Sequence, residues 1–347
     1  MYKYSNGGNK MITEKVKTDL VSVVIPIYNE EKFIRGLVKS IEEQDYDKNK
    51  FEVIFIDGNS TDKTVEILNK ELNDKNINYK IIYNPEKITP KSVNMGIKEA
   101  KNEIIIRLDA HSEYPQNYIS KCVYYINNID ADNVGCTVKT ISDSMIGKII
   151  ANVVSSKFGV GNSSFRTNSD SGYVDTVPFG TFKKELFDKI GYFNEELPRS
   201  EDNEFNNRII KSGGKVYLFN DIQVIYHPRE TIYQLMRMGF DNGKWATYTG
   251  YIIPGSMKLR HFIPLFFVLG LILGIIVTLM KIELLAIIFG VILALYLLLD
   301  IIFTIKNIIS DGLMQAISLI IYPLFHISYG IGSIFGIGKI IRKVVKK

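Results

Sequence analysis

FEVIFIDGNS, Phe51–Ser60, decides the fold: an apolar, largely β-branched and aromatic run ends on Asp57, and the chain then turns through Gly58, Asn59 and Ser60. A strand apolar on both faces must be covered on both faces, as in parallel sheets flanked by helices. The same pattern recurs on either side. Upstream, VSVVIPI (Val21–Ile27) ends on Tyr28-Asn29-Glu30, and Glu31–Glu43 has the spacing of an amphipathic helix. Downstream come a predicted helix from Thr61 to Glu71 and a third strand, Tyr79–Tyr83. Thr89-Pro90 then opens a helix running to about Lys101. EIIIRL, Glu103–Leu108, is a fourth strand and ends on Asp109-Ala110-His111. The expectation is an α/β domain over residues 20–250, Rossmann-like, its sheet mostly parallel with helices on both faces. Residues 1–19 form an N-terminal extension. Such sheets bind ligands beyond the carboxyl ends of their strands, where all three polar clusters lie.

Beyond residue 250 the chain changes character. Three apolar segments, Phe262–Met280, Leu284–Ile305 and Leu313–Ile337, make 251–347 a membrane-anchoring helical region. Lys258 and Arg260 place the preceding domain on the cytosolic side by the positive-inside rule. The third segment, interrupted by Pro323 and His326, is expected to be re-entrant or interfacial, leaving two full spans. Gly270/Gly274 and Gly332/Gly336 are small-residue pairs suited to close helix packing, or chance in a Gly-containing apolar sequence.

The net charge is +5, with Lys339, Arg342, Lys343, Lys346 and Lys347 gathered at the C-terminus. That cluster suits anionic lipid rather than nucleic acid. Two cysteines, Cys122 and Cys136, have no metal-type spacing and fit a reducing compartment. The first twenty residues hold no signal peptide. Heavy use of Lys, Ile and Asn suggests an AT-rich bacterial genome. Together these point to a multi-pass protein of a bacterial inner (cytoplasmic) membrane, its catalytic domain in the cytosol.

Several side chains could carry chemistry. Asp109 and His111, on one turn, can face one divalent cation, Mn²⁺ or Mg²⁺; a strand-end turn closed by an Asx hydrogen bond is the alternative. Asp57 could accept hydrogen bonds from a nucleoside, whereas Asp62, in a first helical turn, is structural. Lys91 and Asn94, near the start of the Pro90 helix, could contact phosphate oxygens. In Arg199-Ser-Glu201-Asp202-Asn-Glu204 three acids crowd a helix start. The helix dipole explains them, or one of them is a general base whose pKa its neighbours raise. Gln234, Arg237 and Trp245 offer an amide, a guanidinium and an indole to a donor, or belong to a membrane-interface helix. No Walker A loop, GxGxxG, HExxH or GxSxG occurs, which removes support for ATPase, dehydrogenase, zinc-protease and serine-hydrolase readings.

The ordered set VSVVIPIYNEE (Val21–Glu31), VIFIDGNSTDKT (Val53–Thr64), IIIRLDAH (Ile104–His111) and SEDNEFNNR (Ser200–Arg208) resembles family 2 glycosyltransferases of GT-A fold. DAH, YVDTVPFGTF (Tyr173–Phe182) and the apolar C-terminus are most similar to the succinoglycan-biosynthesis subgroup. The resemblance implies inverting transfer from a nucleotide-sugar, usually a UDP-sugar, with a divalent metal. It places Pro26, Tyr28, Glu30 and Asp57 on the nucleoside, Asp109 and His111 at the metal-binding DxD position, and Asp202 as base with Glu201 beside it. Two departures stand out. The second acid of DxD is His111, and the QxxRW of processive members is incomplete, Arg237 being followed by Met238. Single addition to a lipid-linked or polysaccharide acceptor is the expectation. The alternatives are a polyprenyl-phosphate glycosyltransferase and an inert membrane scaffold of the same fold.

Overall fold

The computed structural model of the protein describes residues 19–73, 75–167 and 169–345. The expected N-terminal extension therefore lies, except for Asp19, outside the described residues.

Nine strands form one sheet: β1 Val21–Ile27, β2 Phe51–Asp57, β3 Tyr79–Tyr83, β4 Ile104–Arg107, β5 Ser112–Glu113, β6 Asn133–Thr140, β7 Gly172–Tyr173, β8 Thr181–Lys183 and β9 Val216–Tyr226. Their order is β3-β2-β1-β4-β8-β6-β9-β5, with β7 paired to β9. β1 to β4 are parallel neighbours, as are β6 and β9, but β8, β5 and β7 run antiparallel to theirs, so the sheet is mixed. The parallel half is the part joined by regular helical crossovers. The antiparallel additions come from the irregular stretch that follows.

The helices of the sheet domain are α1 Ile34–Glu42, α2 Thr64–Leu72, α3 Thr89–Glu99, α4 Tyr118–Asn128, α5 Met145–Ser155, α6 Lys157–Val160, α7 Glu185–Ile190 and α8 Glu201–Lys211. Alternation along the strands divides the core into two layers. Val23, Ile25, Val53 and Phe55 meet Leu37 of α1, Leu68 of α2 and Cys122 of α4 on one face. Val24, Ile54, Ile56 and Ile105 meet Val93 of α3, Phe187 of α7 and Phe205 of α8 on the other. Gly96 lets α3 lie close on the sheet; a Cβ there would sit 2.4 Å from Val24.

Four longer helices complete the chain: α9 Ile232–Ile252, α10 Ile263–Leu279, α11 Glu283–Asp311 and α12 Ser318–Val345. α11 and the segment 313–345 are long and apolar enough to cross a membrane; α10, at 17 residues, is shorter. α12, in the segment expected to be re-entrant or interfacial, runs as one helix through Pro323. It packs along α9, and Leu235, Tyr322 and Phe325 share a third core with α5. The α9–α12 seam is built on glycine. A Cβ at Gly332 would stand 2.0 Å from the Phe240 carbonyl oxygen, and one at Gly243 1.9 Å from that of Tyr329. Gly332→Ala should therefore force the helices apart and cost about 1–3 kcal/mol. Gly270→Ala, which meets nothing within 4 Å, should leave stability unchanged or slightly raised. Thermal unfolding of the purified chain in detergent checks the pair.

Candidate active site

Beyond the carboxyl ends of β1, β2 and β4 lies a cleft of about 960 Å³. Pro26, Tyr28, Glu30 and Gly58 line one side, Asp109 and His111 the floor, and Glu201 and Asp202, at the start of α8, the opposite wall. The loops after β1 and β2 are locked together. Asn29 and Asn59 have positive φ (54° and 63°), which asparagine tolerates better than most residues. The Asn29 amide donates to Ser60 Oγ (3.0 Å) and the Thr61 amide to Asn29 Oδ1 (2.8 Å). Asp57 is buried and accepts from the Ser60 amide at 3.1 Å, so it holds this turn one residue behind the lining. Asp62 accepts from the Glu31 and Thr64 amides (3.2 and 3.0 Å), the structural role expected of it.

The centre of the cluster is a residue the sequence reading passed over. Arg107, the last residue of β4, is 3 % exposed and ion-pairs with Asp202, with Glu201 (3.0 Å) and with Asp109 (3.4 Å). Burial alone would weaken the guanidinium, but the three carboxylates outweigh it and hold it well above its ordinary range. The signal was present: one cation inside an isoleucine run. Glu204, the third acid of the α8 turn, points away and pairs with Arg208 at 2.8 Å, which leaves Glu201 and Asp202 for Arg107. Ser200, in the left-handed region (φ 66°), turns the chain into this helix.

Burial pushes the Asp202 carboxyl up to about 7; Arg107 opposes the shift, while Glu201 and Asp109 add to it. Tyr114 accepts a hydrogen bond from the Asp109 amide at 2.7 Å and fixes the floor turn. His111 Nδ1 lies 3.4 Å from Glu30 Oε1, and its ring meets Tyr226 edge-on. Burial disfavours the imidazolium, yet Glu30, Tyr226 and Asp109 outweigh it and raise the pKa to about 9. The guanidinium of Arg166 sits 5.3 Å from the Tyr226 ring centroid. Among the described residues no group of three or more His, Cys, Asp or Glu side chains is placed to hold a metal ion alone. Asp109 and His111 nevertheless present a carboxylate and an imidazole from one turn to one cleft.

Other expected site residues stand elsewhere. Lys91 pairs with Glu86. Asn94 is buried, donating to the Phe193 carbonyl and Glu195 Oε1 (both 2.9 Å), and so ties α3 to the segment before α8. Gln234 accepts from the Glu230 amide at the start of α9, and Arg237 is exposed. The Trp245 indole faces Lys339 of α12 at 3.8 Å. None of these five lines the cleft.

Residues 22–190 match the profile of glycosyl transferase family 2. A Methanococcus voltae dolichyl N-acetyl-α-D-glucosaminyl phosphate 3-β-D-2,3-diacetamido-2,3-dideoxy-β-D-glucuronosyltransferase is 29 % identical over 324 residues, covering 90 % of this chain and 96 % of that one. The succinoglycan biosynthesis protein ExoA of Rhizobium meliloti is 27 % identical over 260 residues, covering 74 % and 77 %. In structure the chain resembles the mannosyltransferase PcManGT of Pyrobaculum calidifontis, solved with GDP-Man and Mn²⁺, at a TM-score of 0.56 and 19 % identity over 88 % of this chain and 86 % of that one. That likeness carries the GT-A fold. With this profile match and these relatives, residues 22–190 carry a glycosyl transferase family 2 domain.

Proposed function

We propose that the protein moves a sugar from a nucleotide-sugar, a UDP-sugar, to a hydroxyl of a lipid-linked acceptor by one inverting displacement, in the synthesis of an exopolysaccharide or other cell-surface glycan. The observation that carries this reading is the convergence of Asp109, Glu201 and Asp202 on buried Arg107, in the cleft that also presents Glu30 and His111. The dolichyl-linked acceptor of the M. voltae relative supports the lipid-linked acceptor, and ExoA the exopolysaccharide setting. In this reading residues 20–250 are the catalytic domain, facing the cytosol, and 251–347 the anchor in a bacterial inner membrane.

Asp202 takes the acceptor proton as the hydroxyl oxygen attacks the anomeric carbon from the face opposite the diphosphate. Arg107 holds Asp202 and Glu201 in orientation and stays charged throughout. Pro26, Tyr28 and Glu30 receive the nucleoside against the turn that Asp57 closes. Asp109 and His111 would hold a divalent cation, Mn²⁺ or Mg²⁺. Bound there, it would neutralise charge on the departing diphosphate. His111 must shed its proton to serve as a ligand.

The test is a screen of nucleotide sugars for UDP or GDP release with Mn²⁺, with and without a membrane lipid extract. Extract-dependent release from one donor is expected; silence across all donors overturns the reading. The pH profile gives a second test. Asp202 works deprotonated and titrates at about 7, so with Mn²⁺ in enough excess to displace the His111 proton, kcat/KM should rise with pH and level off above that value. Below it, activity should drop roughly tenfold per pH unit. A flat profile between pH 5 and 8, spanning that pKa, would exclude Asp202 as the base.

A further inference from the structure

The cleft does not end at the sheet. Its far wall is made by Phe267 of α10, Tyr296 and Leu299 of α11, and His326 of α12. A second cavity, about 430 Å³, runs between α10 and α11, and its lining is apolar apart from Tyr296. Phe267 and Tyr296 belong to both cavities, their rings stacked 4.3 Å apart. The Tyr296 hydroxyl is hydrogen-bonded to His326 Nδ1 (2.9 Å), and His326 Nε2 to the Phe158 carbonyl (3.0 Å). An aromatic pair thus stands where a polar cleft meets an apolar groove. On the cleft side are Lys157, Arg166 and Arg229, none of which pairs with a carboxylate among the described residues.

The apolar groove, these cations and the Asp202 carboxylate therefore open on one continuous space. Chain, phosphate and sugar of a lipid-linked glycan need those three surroundings. We propose that the groove between α10 and α11 holds the isoprenoid chain of a polyprenyl-phosphate-linked acceptor, its phosphate beside Lys157, Arg166 and Arg229. The inference rests on the transfer reading above and adds the place where the acceptor's lipid enters. The groove is one channel between α10 and α11, whereas a phospholipid has two chains to seat. Gly270 borders the channel and has open space where a Cβ would stand, so a large side chain there fills the groove without a clash at its base.

The experiment uses the full chain in detergent micelles with two photoreactive probes, a polyprenyl phosphate and a phosphatidylcholine, each with a diazirine in its chain. Polyprenyl label is expected on the α10 and α11 residues of the groove, and Gly270→Phe should cut it about tenfold, the effect of losing roughly 1.4 kcal/mol of binding. Ile292→Trp, from the opposite wall, should do the same. Neither should change phosphatidylcholine labelling, which also reports that the helices remain assembled. Equal polyprenyl labelling in wild type and both variants, or phosphatidylcholine concentrating on the same residues, overturns the proposal. Groove labelling without sugar transfer from any donor would keep this inference and remove the reaction assigned above; transfer with diffuse labelling would do the reverse.

Discussion

Asp202→Asn should lower kcat about a thousandfold, within the range that general-base catalysis contributes, with the donor KM changed little. Asparagine keeps the shape and can still meet Arg107, but it cannot take a proton. The acceptor hydroxyl is then as poor a nucleophile as in water, whereas donor binding depends on residues across the cleft. Steady-state kinetics with the identified donor and a lipid acceptor decide the matter. A variant retaining most of its kcat would point to an acceptor that needs no base, such as a lipid phosphate.

Arg107→Leu should have the largest effect on stability, about 3–5 kcal/mol, because it leaves carboxylates crowded in a buried site without their cation. Glu201 and Asp109 would then have to protonate or turn outward, and activity should vanish with the geometry. Adding Glu201→Gln and Asp202→Asn should recover much of the loss, since the uncompensated charge is what destabilises. Unfolding midpoints of the single, double and triple variants form the cycle that isolates this coupling. A single variant as stable as the parent would mean the cluster is screened by solvent. Arg107→Lys should fall between the two, because an ammonium cannot fork to three carboxylates.

The parallel half of the sheet was legible because β1, β2 and β4 are buried on both faces and so appear in the sequence as largely apolar runs between turn signals, and the half-buried edge strand β3 still reads YKIIY. The antiparallel half was not. β5 and β7 are two residues long and β8 three, too short for any periodicity, and their pairing is fixed by partners far along the chain. α8 stood out through its crowded acids, but what they crowd around did not, because Arg107 and its partners at 201 and 202 meet only in three dimensions. α9 was ambiguous for a related reason. Its mixture of amide, cation and indole suits either a ligand or a helix neighbour, and α12, which covers Trp245, could not be placed against it from spacing alone.

Because Phe267, Tyr296 and His326 form part of the vessel in which sugars would meet, truncating the chain near residue 252 to obtain a freely dissolving enzyme would remove one side of that vessel. It would also bare the glycine face of α9. Anchorage and catalysis share the same walls, so mutations that suit the chain to a thicker or thinner bilayer would be felt at the reaction centre.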